Sequence, residues 1–332
     1  MNSLYPLKFR TIFKDKIWGG QKIKQVLNKD FSPLPNCGET WELSGVPGNI
    51  SVVNNGPLAG KALTELITTY KADLLGKMVY EKYGEQFPLL VKFIDANDDL
   101  SIQVHPDDEL AKQRHDSLGK TEMWYILQAD KGASLITGFN QPVDKDMYVQ
   151  QFEAGKITEI LNKEPVKAED LYFIPAGRVH TIGKGILLAE IQQTSDVTYR
   201  IYDFDRVDDK GQKRELHVEE ALDAIDYNFY DEYKTGYDKK VNVPVEMVSC
   251  PYFTTNRLHF SESTNRNYST IDSFIIYVCY EGSVEIGHHE WGVELKAGEV
   301  ALLPAEINEV ALQTETGFKL LETWVPHESY NK

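Results

Sequence analysis

Short apolar segments broken by glycine, proline and aspartate turns run through most of this sequence, and that spacing admits few folds. In the first two-thirds the strand candidates are 88–95, 101–104, 123–127, 134–139, 170–174 and 186–192. Helical spacing interrupts them at 61–83, where Leu63, Leu66, Ile67, Leu74, Leu75 and Met78 recur on one face, at 148–162 and at 217–227. From about Pro244 onward strand and turn take over: 274–280, 282–286, 291–295, 300–303, 309–312 and 318–324. Many short strands with such turns predict a mainly β chain built as antiparallel sandwiches or barrels of jelly-roll type. A length of 332 residues accommodates two of them, and the polar stretch 230–242 is the linker candidate. The expected division is therefore 1–240 and 241–332.

The formal net charge of −16 repels phosphate backbones, so nucleic acid is not an expected partner. An anionic substrate would need a local basic pocket. Cys37, Cys250 and Cys279 are too few and too scattered for a disulfide framework or a thiolate zinc site. No stretch reaches the roughly 18 apolar residues of a membrane span, and residues 1–10 have no continuous apolar core. A cytoplasmic location is the expectation, with no membrane contact. The sequence holds no signal for an oligomeric state.

Three segments carry chemistry. In Ser101-Ile-Gln-Val-His-Pro-Asp-Asp108, Gln103 and His105 project from the same strand face and could reach a common ion; an ordinary polar strand end has the same composition. In the segment from Gly119 to Leu127, Lys120, Glu122, Trp124 and Ile126 share a face. A carboxylate pointing inward there is expensive to bury unless a cation or hydrogen bonds compensate, while an outward Glu122 would be plain surface. In Glu169–His180 an apolar strand ends in Pro175-Ala-Gly177, a turn suited to re-aiming the chain, and His180 follows three residues after the glycine.

Pro175-Ala-Gly-Arg-Val-His180 resembles the second sequence motif of the cupins, and Gln103, His105 and Glu122 sit where ligands of the first motif would lie. Within cupins the chain is similar to the type I mannose-6-phosphate isomerases in their short bacterial form. Further stretches carry this resemblance: Ile17-Trp-Gly-Gly20, Gly38-Glu-Thr-Trp-Glu-Leu-Ser44, Leu89-Leu-Val-Lys-Phe93 and Ser195-Asp-Val-Thr-Tyr-Arg-Ile-Tyr-Asp203. It implies two cupin barrels with helical insertions in and around the first. It also implies one zinc ion per chain held by Gln103, His105, Glu122 and His180, a donor set that suits Zn²⁺ or another borderline ion. The implied reaction interconverts mannose 6-phosphate and fructose 6-phosphate, with Lys120, Glu190 and Arg200 as catalytic or orienting residues. Lys92 and Arg178 lie beside the site motifs and are candidate substrate-binding cations for the sugar phosphate. A structural ion pair of Arg200 with Asp196 or Asp203 is the competing use of that residue.

The sequence departs from the longer eukaryotic pattern upstream of Glu122, where it reads His115-Asp-Ser-Leu-Gly-Lys-Thr-Glu, and after His180, where the usual tyrosine is missing. Glu39, Trp41, Glu42 and Ser44 form a polar–aromatic cluster that could line the pocket mouth, although a tryptophan packing under the barrel is the commoner use and the cluster is left out of the catalytic set. In the second half, 300–309 repeats the strand and Pro-Ala turn, but Glu306 and Glu309 stand at the glycine and histidine positions, as in a barrel without a metal. His288 and His289 read as a turn. The rivals to an isomerase are another metal-dependent cupin enzyme, such as an oxygenase, and a non-catalytic sugar-binding cupin.

Overall fold

Along Leu89–Ala96 alternation puts Leu89, Val91 and Phe93 on one face and Leu90, Lys92 and Ile94 on the other, and in the computed structural model both faces are buried. That double burial organises the whole molecule. The structure describes residues 4–207 and 211–327. The first half contributes β1 (Leu7–Lys8), β2 (Ile12–Lys14), β3 (Glu39–Leu43), β4 (Leu89–Ala96), β5 (Ile102–Val104), β6 (Glu122–Ala129), β7 (Ser134–Phe139), β8 (Leu161–Pro165), β9 (Leu171–Ile174), β10 (His180–Thr181), β11 (Ile186–Gln193) and β12 (Tyr199–Tyr202). The second half contributes β13 (Pro244–Ser249), β14 (Thr254–Phe260), β15 (Thr264–Asn267), β16 (Ile275–His288), β17 (Trp291–Lys296), β18 (Val300–Leu303), β19 (Glu309–Gln313) and β20 (Phe318–Trp324).

The first barrel has a six-stranded sheet in the order β2-β3-β4-β11-β6-β9 and a five-stranded sheet in the order β12-β5-β10-β7-β8. Between them lie Ile94, Trp124, Ile126, Leu135, Ile182 and Leu188, an apolar floor beneath the polar residues considered below. The outer face of the six-stranded sheet, with Val91, Phe93, Tyr125, Ala189 and Ile191, packs in one continuous core with Phe274, Ile276, Leu302 and Leu321 of the second barrel. The outer face of the five-stranded sheet buries Val104, Val179 and Ile201 against Tyr148 and Ala221 of two helices. The chain is therefore mainly β, two barrels back to back with helices around the first, as the strand spacing predicts.

The second barrel turns on β16, which spans 14 residues where the sequence pattern suggests two strands. Its first part pairs with β18 and β20, its second with β17 and β19. Gly282, at φ +75°, bends this strand instead of ending it; a Cβ there would come within 2.3 Å of the Gly317 carbonyl oxygen. The strand β1, from the other end of the sequence, adds to this barrel by pairing with β18.

The helical stretch 61–83 is three helices, Leu63–Tyr70, Ala72–Leu75 and Lys77–Tyr83, interrupted at Lys71 (φ 48°) and Gly76 (φ 92°). The expected helix at 148–162 begins earlier, at Lys145, because the Asp144 side chain accepts from Met147 N at 2.8 Å. It ends at Glu153, before Gly155 at φ 69°, and the rest becomes a 3₁₀ turn and β8. The third helical candidate forms as Val218–Ala224.

Candidate metal centre and active site

Ile102 and Val104 point into the outer core, which leaves Gln103 facing the barrel interior with His105 just beyond the strand end. On β6 the same logic sends Met123 and Tyr125 outward and Glu122, Trp124 and Ile126 inward. The third contributor arrives through a turn. Gly177 adopts φ +86°, Arg178 N donates to Pro175 O at 3.1 Å, and Gly177 N donates to His105 O at 2.9 Å. The next strand, β10, then opens on His180 in register with Gln103.

These turns and strands gather His105, Glu122 and His180, whose ligand atoms all lie within 4.8 Å of one another. Glu122 Oε2 is 3.7 Å from His105 Nε2 and Oε1 is 3.5 Å from His180 Nε2. Both imidazoles are fixed from behind: His105 Nδ1 donates to Val197 O at 3.0 Å and His180 Nδ1 to Arg178 O at 2.8 Å. That tautomer leaves each Nε2 with a bare lone pair aimed at the carboxylate. Gln103 adds an amide 3.3 Å from His180 Nε2.

The protein's own protons leave part of this cluster unmatched. His105 Nε2 and both Glu122 oxygens are buried without a hydrogen-bond partner. Burial, reinforced by Lys120, holds the His105 imidazole well below the usual histidine range, and burial lowers His180 to about 3. Burial and the nearby Glu190 push Glu122 up to about 7. Two neutral imidazoles, a carboxylate reluctant to stand alone and an amide are a donor set that a divalent cation satisfies. Among the described residues this is the one cluster of its kind.

A second row crosses the opposite sheet. Trp41, Lys92, Glu190 and Trp124 are in register on β3, β4, β11 and β6. Lys92 Nζ donates to Glu190 Oε1 at 3.0 Å and to Gln192 Oε1 at 2.7 Å, while Trp124 Nε1 donates to Glu190 Oε2 at 2.9 Å. Burial alone would raise Glu190, but Lys92 and Lys120 outweigh it and bring the carboxyl down to about 2. Lys92 has burial against it too, yet Glu190 and Glu39 hold its ammonium above the usual lysine range. The Trp41 ring lies between the ammonium groups of Lys14 and Lys92, at 5.1 and 5.2 Å. Lys120 Nζ stands 3.2 Å from Glu122 Oε2, linking the two rows.

A cavity of about 310 Å³ opens over this floor. Gln103, Lys92, Lys120, Glu190 and Arg200 line it, so the structure brings these five candidates together with the His105–Glu122–His180 cluster. Arg200 sits opposite Gln103 in the β12–β5 pairing. Neither Asp196 nor Asp203 pairs with it: its Nη1 donates to Glu215 O at 2.7 Å, and Asp203 is engaged by Arg206 and Arg214. Arg178 is not brought to the cavity. The Gly177 turn sends its guanidinium over the rings of Tyr230 and Tyr233, at 4.5 and 4.7 Å. The cavity also recruits Lys16, Glu39, Asp196 and Arg214. Of these, Glu39 belongs to the cluster whose alternative use in the sequence is to line the pocket mouth, and Arg214 lies in a polar stretch with no periodicity to single it out.

A family model described as phosphomannose isomerase type I, catalytic domain, matches residues 6–140. The mannose-6-phosphate isomerase of Streptococcus mutans serotype c is 37% identical over 306 residues, 91% of this chain and 93% of the relative. The mannose-6-phosphate isomerase ManA of Bacillus subtilis is 35% identical over 314 residues, 93% and 96% of the two chains. The crystal structure of the mannose 6-phosphate isomerase from Bacillus subtilis superposes with a TM-score of 0.86 at 32% identity, covering 96% of this chain and 99% of that one. With a cation-seeking His-Glu-His cluster under a cavity rich in lysine and arginine, and relatives that run nearly end to end, the chain belongs to the type I phosphomannose isomerase family.

Proposed function

We infer that this chain is a metal-dependent aldose–ketose isomerase that interconverts mannose 6-phosphate and fructose 6-phosphate. The observation that carries it is the juxtaposition of the buried His105–Glu122–His180 cluster, in which His105 Nε2 and the Glu122 oxygens lack hydrogen-bond partners, with Lys120 and Glu190 at one cavity. We assign the metal to Gln103, His105, Glu122 and His180, and Zn²⁺ fits their borderline donor set. Bound there, the ion would supply Lewis acidity toward the substrate oxygens.

The chain's own residues do the rest. Isomerisation moves a proton between C1 and C2 and develops negative charge on the two oxygens. Glu190, depressed by Lys92 and Lys120 and with both oxygens engaged, serves to orient the substrate and Lys92. Lys120 faces the cavity with Glu122 as its neighbour and is the proposed proton carrier. Arg200 supplies fixed positive charge to the developing oxyanion or the phosphate. Lys92 holds Glu190 in place, and Arg178 braces the turn that aims His180. Residues 1–240 form the catalytic unit in this reading, and 241–332 support it without a metal.

The test is incubation with mannose 6-phosphate in deuterated water, with metal content measured alongside. Fructose 6-phosphate carrying solvent deuterium, from protein holding one metal ion per chain, is the expected result. A fully metal-loaded protein that leaves the sugar unchanged would sink this reading.

A further inference from the structure

One row of the five-stranded sheet orders the cavity from end to end. His180 pairs with Gln103, and Gln103 with Arg200. Beyond Arg200 the chain returns along the free edge of β12: His217 N donates to Arg200 O at 2.8 Å, and Arg200 N donates to His217 Nδ1 at 3.2 Å. Each step across the sheet is about 4.8 Å. Arg200 therefore stands two steps from His180, and the returning segment that carries Arg214 stands one step further. Gln103, Arg200 and Arg214 line the same cavity. It has donors that seek a cation at one end and guanidinium groups at the other.

The arginine end holds more positive charge than its acids neutralise. Asp203 Oδ2 accepts Arg214 Nε at 2.7 Å, and Oδ1 accepts Arg206 Nη2 at 2.6 Å together with Arg214 Nη2. Among the described residues, Arg206 and Arg214 share Asp203, Arg206 also has Asp98 at 4.0 Å, and Arg200 adds a guanidinium with no acid of its own, so three guanidiniums face two carboxylates in a chain whose net charge is −16. Arg200 has no carboxylate partner among the described residues, and its Nε is buried without a hydrogen bond. Two like charges meeting at a partly desolvated wall are unfavourable unless an anion lies between them.

We propose that Arg214, held by Asp203, is a substrate-binding residue that closes the far end of the cavity and, with Arg200, takes the phosphate of the sugar. The substrate then lies with its carbonyl end at His105, Glu122 and His180 and its phosphate at Arg200 and Arg214, which makes this end the determinant of selectivity for a phosphorylated sugar. Asp203 is a positioning residue: it occupies Nε and Nη2 of Arg214 and turns the remaining edge of the guanidinium toward the ligand. The proposal rests on the isomerase reading for the identity of the sugar, and on the cavity alone for the anion.

Metal-loaded wild-type protein and the variants R214Q, R214K and D203N are compared with mannose 6-phosphate and mannose as substrates and inorganic phosphate as a competing probe. Loss of a charge-assisted contact predicts that R214Q raises KM for mannose 6-phosphate roughly 10- to 100-fold. Its kcat falls far less, its preference for mannose 6-phosphate over mannose drops by the same factor as KM rises, and its inhibition constant for phosphate rises about tenfold. Arg214→Lys recovers part of each loss, and Asp203→Asn shifts all three in the direction of R214Q by a smaller factor. Should R214Q melt well below the wild type, R214K and D203N carry the comparison. Unchanged KM and unchanged phosphate inhibition in folded variants overturn the proposal. Phosphate binding that depends on Arg214 in a wild type unable to isomerise mannose 6-phosphate supports this anion site and refutes the isomerase reading instead.

Discussion

Lys92 and Glu190 face each other across neighbouring strands with Nζ and Oε1 3.0 Å apart, both side chains almost fully buried. Burial shields both charges from bulk water, so each depends on the other and on Gln192 and Trp124. Removing one partner leaves the other unpaired in a low-dielectric floor. Lys92→Met should destabilise the protein by about 3–5 kcal/mol, read from urea denaturation midpoints. The double variant Lys92→Met, Glu190→Gln should recover much of that loss while remaining inactive, because the charge imbalance is gone and the orienting carboxylate with it.

The His105–Glu122–His180 cluster predicts how metal and activity separate. Replacing His180 by alanine removes a donor and should abolish metal binding and turnover together. Arg200→Ala leaves every donor in place, so it should keep the metal and lose turnover. Elemental analysis and an isomerase assay on the same samples check both. Full activity in either variant would show that the site is elsewhere.

Asp203 gives the pH prediction. Burial raises its carboxyl, but the hydrogen bonds from Arg214 and Arg206 more than offset that and hold it below the usual aspartate value. A group depressed in the folded state contributes stability that is complete above its unfolded pKa, about 3.9, and is lost as pH falls through the folded value. Thermal melts from pH 6 downward should therefore show the wild type declining more steeply than Asp203→Asn below about pH 4. At neutral pH the wild type should be the more stable of the two. Parallel curves for the two proteins would count against the clamp.

Gly177 sets the aim of His180 from a left-handed conformation, φ +86°, and a Cβ there would come within 3.0 Å of Ala224 O. Gly177→Ala should cost about 1–2 kcal/mol from backbone strain. It should also weaken metal retention on dialysis against a chelator more than an equally destabilising substitution in the second barrel does. Equal retention would mean that the turn carries no part of the donor geometry.

The shared face of Gln103 and His105 is legible from strand alternation, and the turn before His180 from Pro-Ala-Gly. The grouping of these residues with Glu122 as one ligand set comes from the family resemblance, because the residues alone equally allow a polar strand end and an outward Glu122. Arg178 shows where nearness in sequence misleads: two residues from His180, it leaves the turn in another direction and stacks on Tyr230 and Tyr233. The Lys92–Glu190 partnership needs the register of β4 against β11, which alternation alone does not specify. Arg214 needs more still, a chain return along the edge of β12, and no spacing rule connects it to Gln103. Gly282 misled in a simpler way, since a glycine that bends a strand looks the same in one dimension as one that ends it.

Leu7 and Lys8 pair with Leu302 and Ala301, so a strand that precedes the first barrel in the chain belongs to the barrel whose other described strands follow it. During synthesis β1 has to wait, unpaired, while the first barrel and its metal donors are already complete in the chain that follows. Closing that loop of nearly the whole sequence is a late and slow event by its contact distance. A fragment that begins after the first barrel would expose the edge of β18 that β1 covers and would offer it to another chain. The donors can thus be assembled before β18 is available, and the β1–β18 pairing then joins segments that lie on opposite sides of the first barrel in sequence.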